Sequence, residues 1–374
     1  MASDFAHSFQ SVSSCCPKGP AGATAPVRVG LVGVTGYTGM ELVRLLEGHP
    51  HMELTRVTSR KEAGQRLTSI YPFLQGLRTG EIVITEPEAA DLAAACDIVF
   101  LAIPHGAAMT MGAELVRAGC KVVDLSADFR LRDASVYARW YKVEHTEPAA
   151  LAEAVYGLPE LYADAVSKAR LIANPGCYPT ASILGLYPAL QEALIEETDI
   201  VIDAKSGTTG AGRWANVGSL FCEVHDTFRA YNLAAHRHTP EIEQELAAIS
   251  GSALIVSFNT HLLPINRGIL ATIYTKLKNA GTDAQSIHEV YCRAYARHPF
   301  VRVLPLGKLP EVRAVRGTMF CDIALVHDPR ANRLIIVSAI DNLCRGASGQ
   351  AIANANLMAG LPLDAGLRLA PLVP

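Results

Sequence analysis

The sequence predicts an α/β protein in two parts: a doubly wound parallel sheet, then a second α/β domain built on a mixed or antiparallel sheet. Three observations carry this. At 374 residues the chain is long for one core, and about two domains of roughly 150 residues are expected. From Val27 to Ala173, apolar strand-like runs alternate with helical stretches, the pattern of a parallel sheet covered on both faces. Beyond residue 200, long β-type runs follow one another with few helices between them.

Residues 1–26 are rich in Ser, Ala, Gly and Pro and read as a disordered tail. They lack the apolar segment of a secretory signal; few acidic residues leave a transit peptide open, and the absence of Arg before Arg28 makes that signal weak. Val27–Gly33, a run of β-branched and small residues, is the first strand. Met40–Leu46 carries apolar residues at helical spacing. Met52–Thr58, Asp97–Ile103 and Cys120–Leu125 are further strands, and Arg170–Ala173 begins a short one ending at Asn174-Pro175-Gly176. Ala181–Leu190 is an apolar helical run. The second sheet is expected from Ile200–Lys205, Ala253–Phe258, Ile269–Leu277, Met319–Val326 and Leu334–Ile340, with a helix over 283–297. A last helical stretch, Ala347–Gly360, can pack back on the first domain. The expected division is therefore 27–176 plus 345–374 against 177–344.

Composition narrows the function. Half of the residues are hydrophobic and 18% charged, as in an ordinary globular enzyme. The formal net charge is -3 with no long Lys or Arg run, which disfavours nucleic acid as a partner. No apolar stretch approaches the ~20 residues that span a bilayer, so no membrane role and a cytoplasmic location are expected. Nine cysteines occur without a Cys-x-x-Cys pair, the pattern of reduced thiols and not of structural zinc. Cys15 and Cys16 lie in the tail, and Cys96, Cys120, Cys321 and Cys344 read as buried fillers.

Gly33-Val34-Thr35-Gly36-Tyr37-Thr38-Gly39 joins the first strand to the first helix. Glycines there allow a tight turn and close approach of backbone N–H groups to a pyrophosphate at the helix start. The same spacing also suits a plain strand–helix turn, but its place at the first strand favours a cofactor. About 20 residues on, a carboxylate would hold a ribose 2′-hydroxyl. Thr58-Ser59-Arg60-Lys61 has none, and the Ser59 hydroxyl and Arg60 guanidinium suit a 2′-phosphate, hence NADP over NAD.

Asn174-Pro175-Gly176-Cys177-Tyr178-Pro179-Thr180 puts a thiol at a helix N-terminus, where unpaired N–H groups favour the thiolate. Pro179 fits the first turn, where a missing N–H is tolerated. The competing reading is a buried filler. Downstream, the loop Lys205–Arg213 gathers Ser206, Gly207 and Arg213, a cradle for phosphate or carboxylate or else a simple crossover loop. His236-Arg237-His238 precedes a helix start at Thr239-Pro240. Either histidine can act as an acid/base, and Arg237 can contact an anion. Two histidines without a third ligand cluster make no metal site.

With these motifs together, the chain closely resembles the N-acetyl-gamma-glutamyl-phosphate reductase family of semialdehyde dehydrogenases. The likeness runs from Val27 almost to the end, through Gly33–Gly39, Leu101–Gly106, Val123–Arg130, Tyr156–Leu161, Asn174–Thr180, Asp203–Arg213, His236–Glu245 and Asp341–Gln350. Thr260 departs from it, where the family pattern has proline. The resemblance implies a Rossmann-like cofactor domain, and a catalytic and oligomerisation domain like that of glyceraldehyde-phosphate dehydrogenases. It implies reduction of N-acetyl-glutamyl 5-phosphate to the 5-semialdehyde with NADPH, in arginine biosynthesis, by a homodimer or homotetramer. It places the nucleophile at Cys177 and the acid/base at His236, with His238 second. Arg130, Arg213 and Arg237, in that order, are the expected cations for the acyl-phosphate substrate. A reductase for the one-carbon-longer aminoadipate substrate, aspartate-semialdehyde dehydrogenase, and a non-catalytic dinucleotide sensor are the alternatives.

Overall fold

A computed structural model describes residues 25–373 of the chain, so most of the 1–26 tail, with Cys15 and Cys16, lies outside the described residues. The first sheet holds β1 (Val27–Val32), β2 (Met52–Thr58), β3 (Ile98–Leu101), β4 (Lys121–Asp124), β5 (Val155–Tyr156) and β6 (Leu171–Ala173). They run parallel in the order β2-β1-β3-β4-β6-β5. All four residues of β3 are buried, as a strand covered on both faces requires. The order reverses between β1 and β3, and the crevice beyond the carboxyl ends of such strands is where this architecture takes ligands.

The second sheet holds β7 (Ile200–Ser206), β8 (Arg229–Tyr231), β9 (Val256–Leu262), β10 (Ile269–Lys276), β11 (Val301–Val303), β12 (Cys321–Asp328) and β13 (Arg333–Ile340). Its order is β11-β12-β13-β10-β7-β9-β8. It is mixed: β7 with β9 and β11 with β12 are parallel, and the other pairs antiparallel. The helices Cys177–Gln191 and Ala284–Tyr295 cover one face, where Ile183, Leu184, Ile202, Ile273, Tyr291 and Ile336 share a core. On the other face Val201, Tyr274 and Ile335 stand in cross-strand register, and so do Thr272 and Val337; all are only partly buried.

The chain then returns. After β13 comes a π-helical turn, Cys344–Ser348, and the helix Gly349–Met358, whose Ala351, Ile352, Ala355 and Met358 complete the core around Val29, Leu31 and Leu42. Arg267, at the start of the β9–β10 sheet's loop edge, donates to both oxygens of Glu41 on the first helix at 3.0 and 2.6 Å. Burial opposes the Glu41 charge, yet Arg44 and Arg267 hold its carboxyl below the usual range.

Most expected elements are present. The Ala253–Phe258 strand is displaced to Val256–Leu262, and the expected 347–360 helix starts only at Gly349, behind the π turn. Cys96, Cys120, Cys321 and Cys344 are buried and free. Thr260 is buried in β9, where its hydroxyl donates to the Tyr231 carbonyl of β8 at 2.6 Å. No helix among the described residues is long and apolar enough to cross a membrane.

Candidate active site

A cleft of about 1050 Å³ opens beyond the ends of β1 and β3 and extends to the second sheet's loops. At one end stands the glycine turn: Gly33, Thr35, Gly36, Tyr37 and Thr38 line the cleft. Gly33 has φ +89°, and a Cβ there would lie 2.4 Å from the Ala102 carbonyl oxygen. Gly39 lies behind, where a Cβ would meet the Gly33 carbonyl at 2.5 Å, so the helix packs directly on the turn. Ser59, Arg60 and Lys61 line the same cleft, and neither cation has an ion pair among the described residues. One carboxylate is nearby: Glu62 accepts from the Ser59 hydroxyl. With two unpaired cations against one carboxylate, the segment fits a 2′-phosphate, and the turn fits a pyrophosphate.

At the other end is Cys177, the first residue of the Cys177–Gln191 helix, partly exposed on the cleft. The strand-to-helix loop holding it is fixed on every side. Asn174 donates from its backbone to the Asp124 carbonyl at 2.8 Å, and its side chain accepts from Asn354 at 3.0 Å. Gly176 donates its N–H to Glu241 at 2.8 Å, and its carbonyl accepts from Thr180. From the return segment, Gly346 packs so closely that a Cβ there would lie 2.6 Å from the Cys177 Cβ. Desolvation pushes the thiol up to about 11, against the lowering effect of Arg130 and the Tyr178 and Cys177 N–H groups. Thus the helix start does not by itself yield a thiolate at neutral pH.

His238 and Arg237 line the cleft with Cys177. A Cβ at Gly176 would touch His238 Nε2 at 2.7 Å and Arg130 Nη1 at 2.9 Å, which puts the imidazole beside the residue preceding Cys177. His236 is not among the lining residues: its ring packs edge-on to Tyr178 and Phe258, and its Nδ1 accepts the His238 N–H at 3.1 Å. Burial, with Arg237 adjacent, lowers His236 to about 4. His238 is held well below the usual imidazole value by burial, by His236 and by Arg130. Both rings are therefore neutral at pH 7.

The three arginines differ sharply. Arg130 is 6% exposed and already engaged: Nη1 lies 3.3 Å from Glu241, and it donates to the Asn174 and Leu125 carbonyls. Arg213 reaches toward the glycine turn, donating to the Thr35 carbonyl at 3.0 Å and the Tyr71 hydroxyl at 3.2 Å. Arg237 makes no ion pair among the described residues and lies over the Tyr141 ring at 5.4 Å. Ser206 and Gly207 do not line the cleft; Gly207 donates to the Gly268 carbonyl and Ser206 to the Gly207 carbonyl, so they tether the loop from behind. No three His, Cys, Asp or Glu groups among the described residues could hold a metal ion.

Two participants escape sequence reasoning. Glu241, 1% exposed, accepts from Gly176, from Tyr156 at 2.9 Å and from Arg130, residues brought in from three distant segments. Trp214 also lines the cleft. Asp128, in the quoted Val123–Arg130 motif, accepts the Gly106 and Ala108 N–H groups and the Tyr137 hydroxyl, which explains why that motif and Leu101–Gly106 occur together.

Comparison with known proteins identifies the family. Residues 28–169 match the family model of the semialdehyde dehydrogenase NAD binding domain, and 177–342 that of the semialdehyde dehydrogenase dimerisation domain. The chain is 51% identical over 341 residues to an N-acetyl-gamma-glutamyl-phosphate reductase from Pelotomaculum thermopropionicum, covering 91% of this chain and 97% of that one. It is 50% identical over 348 residues to one from Desulforudis audaxviator, covering 93% and 100%. Among solved structures, aspartate semialdehyde dehydrogenase II from Vibrio cholerae superposes with TM-score 0.69 at 15% identity, over 90% of this chain and 99% of that one. Aspartate semialdehyde dehydrogenase with NADP from Candida albicans gives TM-score 0.65 at 17% identity, over 91% and 99%.

Proposed function

The chain belongs to the N-acetyl-gamma-glutamyl-phosphate reductases of the semialdehyde dehydrogenase family, and from that premise we propose that it reduces N-acetyl-L-glutamyl 5-phosphate to the 5-semialdehyde, releasing phosphate, as a step of arginine biosynthesis. The single observation that carries the reading is Cys177 at a helix start on a cleft shared with a dinucleotide-type glycine turn. The thiol of Cys177 attacks the acyl carbon as its proton passes to His238, a neutral ring whose Nε2 lies beside Gly176 and 3.5 Å from Arg130 Nη1. Phosphate leaves, and a thioester joins the substrate to Cys177. NADPH, when bound, supplies the hydride that turns the thioester into a thiohemiacetal. His238, carrying the thiol proton, gives it to the carbonyl oxygen as the hydride arrives, then takes it back as the C–S bond breaks and returns it to the departing thiolate, so the aldehyde leaves with thiol and imidazole restored.

His238 is preferred over His236 because it faces the cleft, while His236 lies behind it and accepts from the His238 backbone. Arg237 is the first choice for a substrate anion, since Arg130 is already neutralised by Glu241 and Arg213 serves the glycine turn. Arg130 instead orients the nucleophile loop through Asn174. The second domain joins copies of the chain through the uncovered face of the seven-stranded sheet, giving a homodimer or homotetramer.

The test is phosphate-dependent oxidation of N-acetyl-glutamate 5-semialdehyde, with NADP and NAD in parallel. The parent should reduce NADP only when phosphate is present, and Cys177→Ser should lose roughly a thousandfold or more. Without turnover by the parent, the glutamyl substrate is wrong and the aminoadipate homologue is next to be tried. Full activity in Cys177→Ser would overturn the thioester.

A further inference from the structure

Trp214 is the most exposed large aromatic side chain among the described residues, at 79%, and yet it stands on the wall of the cofactor cleft. It comes from the second domain's crossover loop, not from the nucleotide-binding sheet. The loop is pinned there: Arg213, its neighbour, donates to the Thr35 carbonyl within the glycine turn and to Tyr71, with its guanidinium 5.6 Å from the Tyr71 ring centre. Across the cleft, the Lys61 ammonium lies 5.6 Å from the centre of the Trp214 indole, and Lys61 follows Ser59 and Arg60.

In NADP the 2′-phosphate and the adenine hang from the same ribose. A flat apolar ring beside the residues suited to the 2′-phosphate is therefore beside the adenine. We infer that Trp214 is an adenine-stacking residue, so that the catalytic domain, through the Arg213–Trp214 strap, closes over the adenine end of a cofactor held mainly by the first domain. This rests on the NADP reading above. Base–aromatic stacking contributes enough to change affinity by about tenfold or more on truncation.

The chain has two tryptophans, so Trp140→Phe leaves Trp214 as the sole indole reporter. In that protein, adenosine 2′,5′-bisphosphate should quench the indole emission saturably, while nicotinamide mononucleotide, which lacks adenine, should not. By calorimetry, Trp214→Leu should weaken adenosine 2′,5′-bisphosphate binding about tenfold, and Trp214→Phe, which keeps a stacking face, should stay within about threefold of the parent. Because the side chain is so exposed, thermal unfolding of both variants should match the parent, which separates a binding loss from misfolding. Unchanged affinity in Trp214→Leu, or an indole blind to the bisphosphate, overturns the inference and leaves the NADP reading standing. If the parent binds NAD but not the bisphosphate, the NADP reading falls and this inference with it.

Discussion

At the scale of single residues, Cys177, His236 and His238 rest in neutral forms. Burial raises the Cys177 thiol and lowers the His236 and His238 imidazoles, so the free enzyme stores no thiolate–imidazolium pair. Alkylation of Cys177 by iodoacetamide should therefore climb about tenfold per pH unit from pH 7 to 9 with no plateau, since only the thiolate reacts. A plateau near neutrality would show that the helix start and Arg130 outweigh desolvation. Cys177 stands out in the sequence by its place before Pro179 and an apolar helix, and it lies at a helix start on the cleft. Glu241 does not stand out: a carboxylate just inside a helix start reads as a partner for the helix dipole. Its three real partners, Arg130, Tyr156 and Gly176, are 65 or more positions away in sequence. Arg130 ranked ahead of Arg237 as a candidate for the substrate anion, but Arg130 is buried and engaged by Glu241 and by the Asn174 and Leu125 carbonyls, while Arg237 is exposed.

At the scale of elements, the sequence was clearest where a run is long and one-sided. β2 falls at the expected residues, and β7, β10 and β13 within a residue or so at each end. β5, β8 and β11 are two or three residues long, too short for any period to show. β9 was displaced because Ser257, Asn259 and His261 alternate with its buried residues and point to the open face, where polar residues look like loop. The π turn at Cys344–Ser348 was also invisible, since its cause is tertiary. Asp341 accepts the Leu343 and Cys344 N–H groups, and the fully buried Arg345 pairs with Glu160 at 2.7 Å. This turn brings Gly346 against Cys177, and π bulges recur at functional sites. Gly346→Ala should shift the nucleophile and lower kcat by roughly a hundredfold, while the KM for NADPH stays close to the parent's. A comparable rise in that KM alongside the fall in kcat would instead mean that the cleft as a whole has been disturbed.

At the scale of the whole molecule, two expectations follow from what is covered and what is not. The open face of the second sheet presents Val201, Tyr274, Ile335 and Val337. Val337→Glu with Tyr274→Glu should lower the mass seen by analytical ultracentrifugation while leaving circular dichroism unchanged; an unaltered mass would place the contact elsewhere. The second expectation concerns acid. His236 and His238 have folded-state values below the ordinary ~6.5, so protonation favours the unfolded chain. Their contribution is complete above about pH 6.5 and is lost as pH falls from there toward 4. Tm should drop between pH 7 and 5, and His236→Asn with His238→Asn should flatten that drop; an equally steep drop in the double variant would assign it to other groups. The two-domain outline was readable from the alternation of strands and helices, but the clamp of Arg267 on Glu41 was not, because 226 positions separate its partners.

The returning helix Gly349–Met358 has a consequence for how the chain is made. Its alanines and Met358 fill the core around Val29 and Leu31, so the first sheet is finished only by a helix made after β7 to β13. Until then the first sheet waits with an apolar face bare, while β7 to β13 can already pair. The core of the first sheet is therefore complete only after β7 to β13 have been synthesised. A stop codon between residues 341 and 348 would leave a chain that holds all of β7 to β13 and lacks the helix that completes the first sheet's core.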